Sequence, residues 1–224
     1  MNQWRKKTLG QSLNMAGVAS FLSVATRKPH LALPHLSVPD FRWIDWSELE
    51  RLGFRGVVFD KDNTLTAPYS LSLWPALSGS FARCQTVFPG KVAIFSNSAG
   101  LCQYDPDDSE ARTLEESIGG IHVIRHELKK PAGTAEDIEK YFGCPASDLI
   151  MVGDRYFTDV VYGNRNGFLT ILTDPLNLSL EPFIVKQVRK LEGYIVKYWY
   201  GKGVKAAKHI LLPDVHHCVK ASPS

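Results

Sequence analysis

The chain has 224 residues, 44% of them hydrophobic, and a formal net charge of +3, which allows one domain with appendages and a proper buried core. Its four cysteines, Cys84, Cys102, Cys144 and Cys218, lie too far apart for a CxxC metal or redox motif and read as reduced thiols, not as a disulfide framework. The charge is polarised: residues 1–39 hold five basic residues and no acid, residues 40–179 hold 13 basic and 20 acidic, and residues 180–210 hold seven basic against Glu181 and Glu192.

At the N-terminus Arg5, Lys6 and Lys7 precede an apolar stretch of 11 residues, Met15 to Ala25, interrupted by Ser20 and Ser23. It is too short to cross a bilayer as a helix. A secretory leader cut near Ser23-Val24-Ala25, an organelle transit peptide and a retained interfacial helix all fit it. From there the sequence alternates. Strands are expected at 56–60, 92–96, 121–125, 149–153 and 168–173, and helices at about 72–84, 108–118, 134–142 and 157–166. Alternation of this kind predicts an α/β fold with a doubly wound parallel sheet, whose ligands bind beyond the carboxyl ends of the strands.

A further helix is expected over 183–199, with Pro182 at its start. It places Ile184, Val188, Leu191, Ile195 and Trp199 on one face and Lys186, Arg189, Lys190 and Lys197 elsewhere. That pattern suits either an anionic bilayer surface or packing on the sheet, or both on different faces. His216-His217-Cys218 looks ligand-like but reads as part of a solvated tail. The implied organisation is a basic N-terminal segment over 1–39, a core over 40–178, and a basic amphipathic helix with tail over 179–224.

The chemistry concentrates where the strands end. The run Gly56 to Phe59 lacks in/out alternation, as a central strand covered on both faces would. It is followed by Asp60 and Asp62, whose spacing aims both carboxylates to one side if the strand continues by one pleat. Two such charges repel unless a cation sits between them or one takes a proton. Asp60-Lys61-Asp62-Asn63-Thr64 resembles the DxDxT motif of the haloacid dehalogenase superfamily of aspartyl-phosphate phosphotransferases. Ser96-Asn97 after a strand, Lys130-Pro131, and Gly153-Asp154 with Asp159 match its other three motifs, in order.

The resemblance implies roles. Asp60 is the expected nucleophile, and Asp62 the acid that protonates the leaving group and then activates water. Ser96 and Lys130 complete the catalytic set, with Ser96, Asn97, Lys130 and Arg155 expected at the substrate's anionic groups. Mg²⁺ is the expected cofactor, held by Asp60, Asp154, Asp159 and the main-chain carbonyl of Asp62. The loop Asp105-Pro106-Asp107-Asp108 reads as solvated, with a flap or second metal site as alternatives.

Only 33 residues separate Asp62 from Ser96, and 33 separate Ser96 from Lys130, so neither gap holds a folded cap. An uncovered site favours a phosphate carried on something large. Longer stretches then resemble eukaryotic phosphatidylglycerophosphate phosphatases: Gln11 to Gly17, Leu33 to Asp40, Gly56 to Thr66, Ser96 to Gly100, Arg125-His126 with Lys129 to Gly133, and Gly153 to Asp159 with Tyr162 to Gly167. That resemblance implies release of phosphatidylglycerol from its phosphorylated precursor, at the matrix face of the mitochondrial inner membrane or in a plastid. The partners it implies are a phospholipid substrate and an anionic membrane surface. Nothing in the sequence supports nucleic acid as a partner, and oligomeric state is not legible. Arg155, Arg165 and His126 fall at matching positions, where either a headgroup contact or a packing role is expected. A soluble sugar or nucleotide phosphatase and a non-catalytic membrane scaffold are the rival readings; the intact acid set speaks against the second.

Overall fold

The computed structural model describes residues 27–212 and 216–223. The apolar stretch Met15 to Ala25, read as a leader, a transit peptide or an interfacial helix, lies outside the described residues, as does the Gln11 to Gly17 stretch.

Six parallel strands form one sheet: β1 (Leu36–Val38), β2 (Gly56–Phe59), β3 (Val92–Ile94), β4 (His122–Val123), β5 (Leu149–Gly153) and β6 (Leu169–Thr173). Their spatial order is β1-β6-β5-β2-β3-β4, which puts β2 at the centre between β5 and β3. Every residue of β2, β3, β5 and β6 is buried, as strands covered on both faces must be. One apolar core, built around Phe41, Trp46, Phe59 and Phe81, covers one set of strand residues. A second core, built around Phe95, Phe142, Tyr162 and Phe168, takes the alternating set that includes Val58, Ala93 and Met151.

The helices are α1 (Trp46–Arg51), α2 (Ser78–Val87), α3 (Ser109–Ser117), α4 (Glu136–Phe142), α5 (Val161–Asn166) and α6 (Phe183–Gly201). Each expected helix is present, but the segment expected over 157–166 begins as a π-helical turn, Tyr156–Val160, before α5. Two elements were not anticipated. Strand β1 is only three residues long and alternates buried, exposed, buried, and α1 is a short helix whose first turn is capped by the Asp45 carboxylate accepting from Glu48 N–H. The expected solvated tail is instead partly docked: Cys218 is fully buried, its carbonyl accepts from Asp45 N–H at 2.9 Å, and Val219 bridges Ile44. The acidic loop is likewise structural at Asp105, whose buried carboxylate accepts from Gly100, Glu110 and Ala111 N–H and so caps α3. No insert folds apart from the sheet among the described residues, so the ends of β2, β3 and β5 are not covered by a separate cap.

Candidate active site

Chain direction brings the motif residues together. Because β2, β3 and β5 run parallel and adjacent, the residues that follow them, Asp60, Phe95-Ser96 and Asp154, emerge at one end of the sheet. Asp60 stays in register by donating its N–H to the Val152 carbonyl at 2.8 Å. The loop after β4 returns Lys130 to the same place through a cis Lys130–Pro131 peptide bond. Asn97 holds that loop from both sides: its side-chain oxygen accepts from Lys130 N–H at 2.8 Å and its amide donates to the Lys130 carbonyl at 3.2 Å. Arg165, from α5, donates to the Pro131 carbonyl at 2.9 Å.

Lys130 is almost wholly buried and its ammonium has three acceptors: Asp60 and the Phe95 carbonyl, both at 2.6 Å, and Asp159 at 2.7 Å. Asp60, Asp154 and Asp159 are all buried, and one carboxylate oxygen from each lies within 4.8 Å of the others. Burial pushes the Asp60 carboxyl up to about 8 against the pull of Lys130, and pushes Asp154 up to about 6 against that of Arg189. Burial alone would draw Lys130 down, but Asp159 and Asp60 hold its ammonium up at about 12. Lys130 serves Asp60 and Asp159, while Arg189 is shared between Asp154 and Glu181, so the acids outnumber their cationic partners, and the donors of the trio are all hard oxygens. The cluster therefore fits a divalent cation of the Mg²⁺ type. Gly153 is required beside it, since a Cβ there would lie 2.4 Å from Asp159 Cβ.

Asp62 stands apart from this trio. The strand does not continue past Asp60; the chain turns, with Leu65 and Thr66 N–H both bonding to the Lys61 carbonyl at 3.0 Å. The two carboxylates therefore have separate surroundings. Asp62 is half-buried, paired with Lys61 at 2.5 Å, and accepts from Tyr69 N–H at 2.8 Å and from the Ser98 hydroxyl at 3.4 Å. The Ser96 hydroxyl, buried, lies 3.0 Å from that of Ser98 and accepts its N–H at 3.1 Å, so the second motif reaches Asp62 through Ser98.

Arg155, expected at the substrate, is instead turned to α6, where its guanidinium makes a two-pronged pair with Glu192 at 3.0 and 2.6 Å. Asn97, expected likewise, braces the Lys130 loop. His126 packs its ring 4.4 Å from that of Phe95 and places Nδ1 3.2 Å from the Ile124 carbonyl.

The sequence reading missed the contribution of α6. Arg189 donates to the Asp154 carbonyl at 3.0 Å and to its carboxylate, and also pairs with Glu181 at 2.5 to 2.9 Å. Glu181 in turn accepts from the Asn63 amide at 2.7 Å, tying the start of α6 to the turn that carries Asp62. The signal was present as charge: Arg189 and Glu192 share a helical face with Val196 and Trp199, a place where solvated residues do not sit.

Residues 15–177 match the family model described as mitochondrial PGP phosphatase. The chain belongs to this family. It is 58% identical over 222 residues to phosphatidylglycerophosphate phosphatase 1, chloroplastic/mitochondrial, of Arabidopsis thaliana, covering 98% of this chain and 64% of that one. It is 49% identical over 203 residues to phosphatidylglycerophosphate phosphatase 1, chloroplastic, of Chlamydomonas reinhardtii, covering 91% and 75%. Against the mitochondrial phosphatidylglycerophosphatase of Saccharomyces cerevisiae the identity is 30% over 190 residues, covering 82% and 99%. The chain thus spans somewhat less than two thirds of the Arabidopsis relative's length. Arg189, Glu181 and Glu192 lie beyond the span of the PGP phosphatase family model.

Proposed function

We propose that this chain is a Mg²⁺-dependent phosphatase that removes the terminal phosphate of phosphatidylglycerophosphate to give phosphatidylglycerol, through a phosphoaspartate on Asp60. The observation that carries the reading is a family match that includes all the motif residues, joined to a buried Asp60, Asp154 and Asp159 cluster in which Lys130 pairs with Asp60 and Asp159.

In this reading an Asp60 carboxylate oxygen attacks phosphorus and the bond to the glycerol oxygen breaks. The leaving alkoxide takes a proton from Asp62, which then accepts one from the water that hydrolyses the acyl phosphate and frees Asp60. Separate surroundings for the two acids suit separate duties: Asp60 is fixed by Lys130, whereas Asp62 is half-buried and reaches solvent. Lys130 balances charge on Asp60 and on the transferring group, and the Ser96 hydroxyl binds a phosphoryl oxygen. Mg²⁺, when bound by Asp60, Asp154, Asp159 and the Asp62 carbonyl, supplies Lewis-acid stabilisation of the phosphoryl charge. Arg189 and Arg155 hold the Asp154 segment in place and do not touch the substrate.

The names of the relatives favour a mitochondrial site of action, with the plastid as the alternative. A site without a cap favours a substrate presented at an anionic membrane surface. The test is phosphate release by purified protein from phosphatidylglycerophosphate in mixed micelles, compared with glycerol phosphate and a chromogenic monoester. Strong, Mg²⁺-dependent preference for the lipid is expected; preference for the soluble esters overturns the substrate assignment.

A further inference from the structure

We infer that the outer face of α6, with the turn leading into it, seats the protein on an anionic phospholipid bilayer and sets the rim of the active site at the bilayer plane. This rests on the reading that the substrate is a lipid.

Helix α6 divides sharply. Glu192, Val196 and Trp199 are buried and, with Arg189, face the body of the protein. On the other side Phe183 and Tyr194 are 74% and 76% exposed, and Ile184, Leu191 and Tyr198 are each at least half exposed. At 3.6 residues per turn these five fall within about 100° of arc. The single face expected from Ile184 to Trp199 is therefore two faces, with Trp199 inward and Ile184 and Leu191 outward. Leu178 and Leu180, also exposed, carry the outer stripe into the preceding turn.

Contiguous exposed apolar surface of this extent marks an interaction site, and the charges beside it select the partner. Lys190 and Lys197 are exposed along the edge next to Phe183 and Tyr194, and Lys202, Lys205 and Lys208 follow. Apolar residues flanked by lysines, with tyrosines between, complement an anionic headgroup layer over an acyl layer. Among the described residues no helix is long and apolar enough to span a membrane, so the contact is made side-on. Location completes the inference: Glu181, between exposed Leu180 and Phe183, bonds Asn63 on the turn that carries Asp62. The stripe thus begins at the mouth of the site, and a phosphate on a lipid in that plane reaches Asp60 without leaving the bilayer.

The experiment is flotation of the full chain with phosphatidylcholine vesicles that contain or lack phosphatidylglycerol, for the unaltered protein and for Phe183→Glu/Leu191→Glu. The unaltered protein is expected to float with the anionic vesicles, less so at high salt, and the double variant to lose roughly tenfold or more in binding. Hydrolysis of a soluble chromogenic monoester stays unchanged in the variant, which shows that fold and site are intact. Lys190→Glu/Lys197→Glu is expected to weaken binding to anionic vesicles in the same way. Equal flotation of Phe183→Glu/Leu191→Glu and the unaltered protein, or no flotation of either, overturns the inference. So does a homodimer that the double variant splits, because the face then belongs to a second copy. A protein that floats through this face yet leaves phosphatidylglycerophosphate intact would sink the proposed reaction and leave the docking surface standing.

Discussion

Arg189 and Asp154, 35 residues apart in sequence, meet twice: one guanidinium nitrogen donates to the Asp154 carbonyl at 3.0 Å and another to its carboxylate. Both the main chain and the side chain of a site carboxylate are thereby set from α6. Replacing Arg189 by Ala is expected to weaken apparent Mg²⁺ affinity by about 10- to 100-fold, the usual cost of losing a group that orients a metal ligand. Arg189→Lys should recover only part of this, since an ammonium keeps the charge but lacks the planar fork that spans Asp154 and Glu181 together. The Mg²⁺-induced rise in melting temperature and the Mg²⁺ dependence of turnover measure it together.

Asp60→Asn is expected to lower phosphate release by at least about 10³-fold while leaving the fold intact. Asp62→Asn should behave differently. With an aryl phosphate, whose leaving group needs no proton from Asp62, the nucleophile still reacts while the proton acceptor for water is absent, so phosphate accumulates on the protein, which acid-quenched labelling with the ³²P-labelled ester detects. Equal labelling of the Asp60→Asn variant would remove Asp60 from its assigned role.

Asn97→Ala removes both bonds that brace the Lys130 main chain, costing about 1–2 kcal/mol of stability. A fall in kcat of roughly tenfold should accompany it, because the buried ammonium loses its exact seat between Asp60 and Asp159. Asn97→Asp keeps the acceptor for Lys130 N–H and should fall between the two. Denaturant unfolding and steady-state kinetics on the same samples test the ordering.

Gly153→Ala drives a methyl group against Asp159, with its Cβ 2.4 Å and its Cγ 2.5 Å from the added carbon. Activity is expected to fall at least as far as in Arg189→Ala, with a stability loss of about 1–3 kcal/mol. A variant with unaltered kinetics would show that Asp159 is not held where catalysis needs it.

Two histidines, half-buried His35 and buried His126, set an acid limit. Burial draws His35 down to about 4, helped by His209, and burial draws His126 to about the same value. Their pKa values are lower folded than unfolded, so the stability linked to each is present above about 6.5 and is lost as pH falls toward 4. Each contributes on the order of 2–3 kcal/mol over that window. Chemical denaturation between pH 7 and pH 4 should show the loss, and His126→Gln should flatten part of it.

How far the sequence carried follows from how local each signal was. Asp60, Ser96 and Asp154 each sit at the end of an apolar strand, so strand order alone converged them. Lys130 was legible from its motif, although the residue that positions it, Asn97, looked like a ligand group. Strand β1 escaped because three residues between Pro34 and Pro39 are too few for their alternation to stand out as a strand. The α6 contacts escaped because pairing of Arg189 with Asp154 and of Arg155 with Glu192 depends on how a distant helix lies on the sheet. Period alone also could not say which half of the α6 apolar residues would face in. Asp62 was misdirected by extending a strand that in fact turns at Lys61.

The bonds from Cys218 to Asp45 and from Trp43 to Lys220, at 2.9 and 2.8 Å, close the chain upon itself. The segment that opens the first core helix is therefore sealed by residues more than 170 positions downstream. Pairings of such long sequence separation close late, because the entropy of a long loop must be overcome before the contact rewards it. The seam beside Ile44 thus belongs to the slow end of folding, and a chain cut before Cys218 would leave it unsealed.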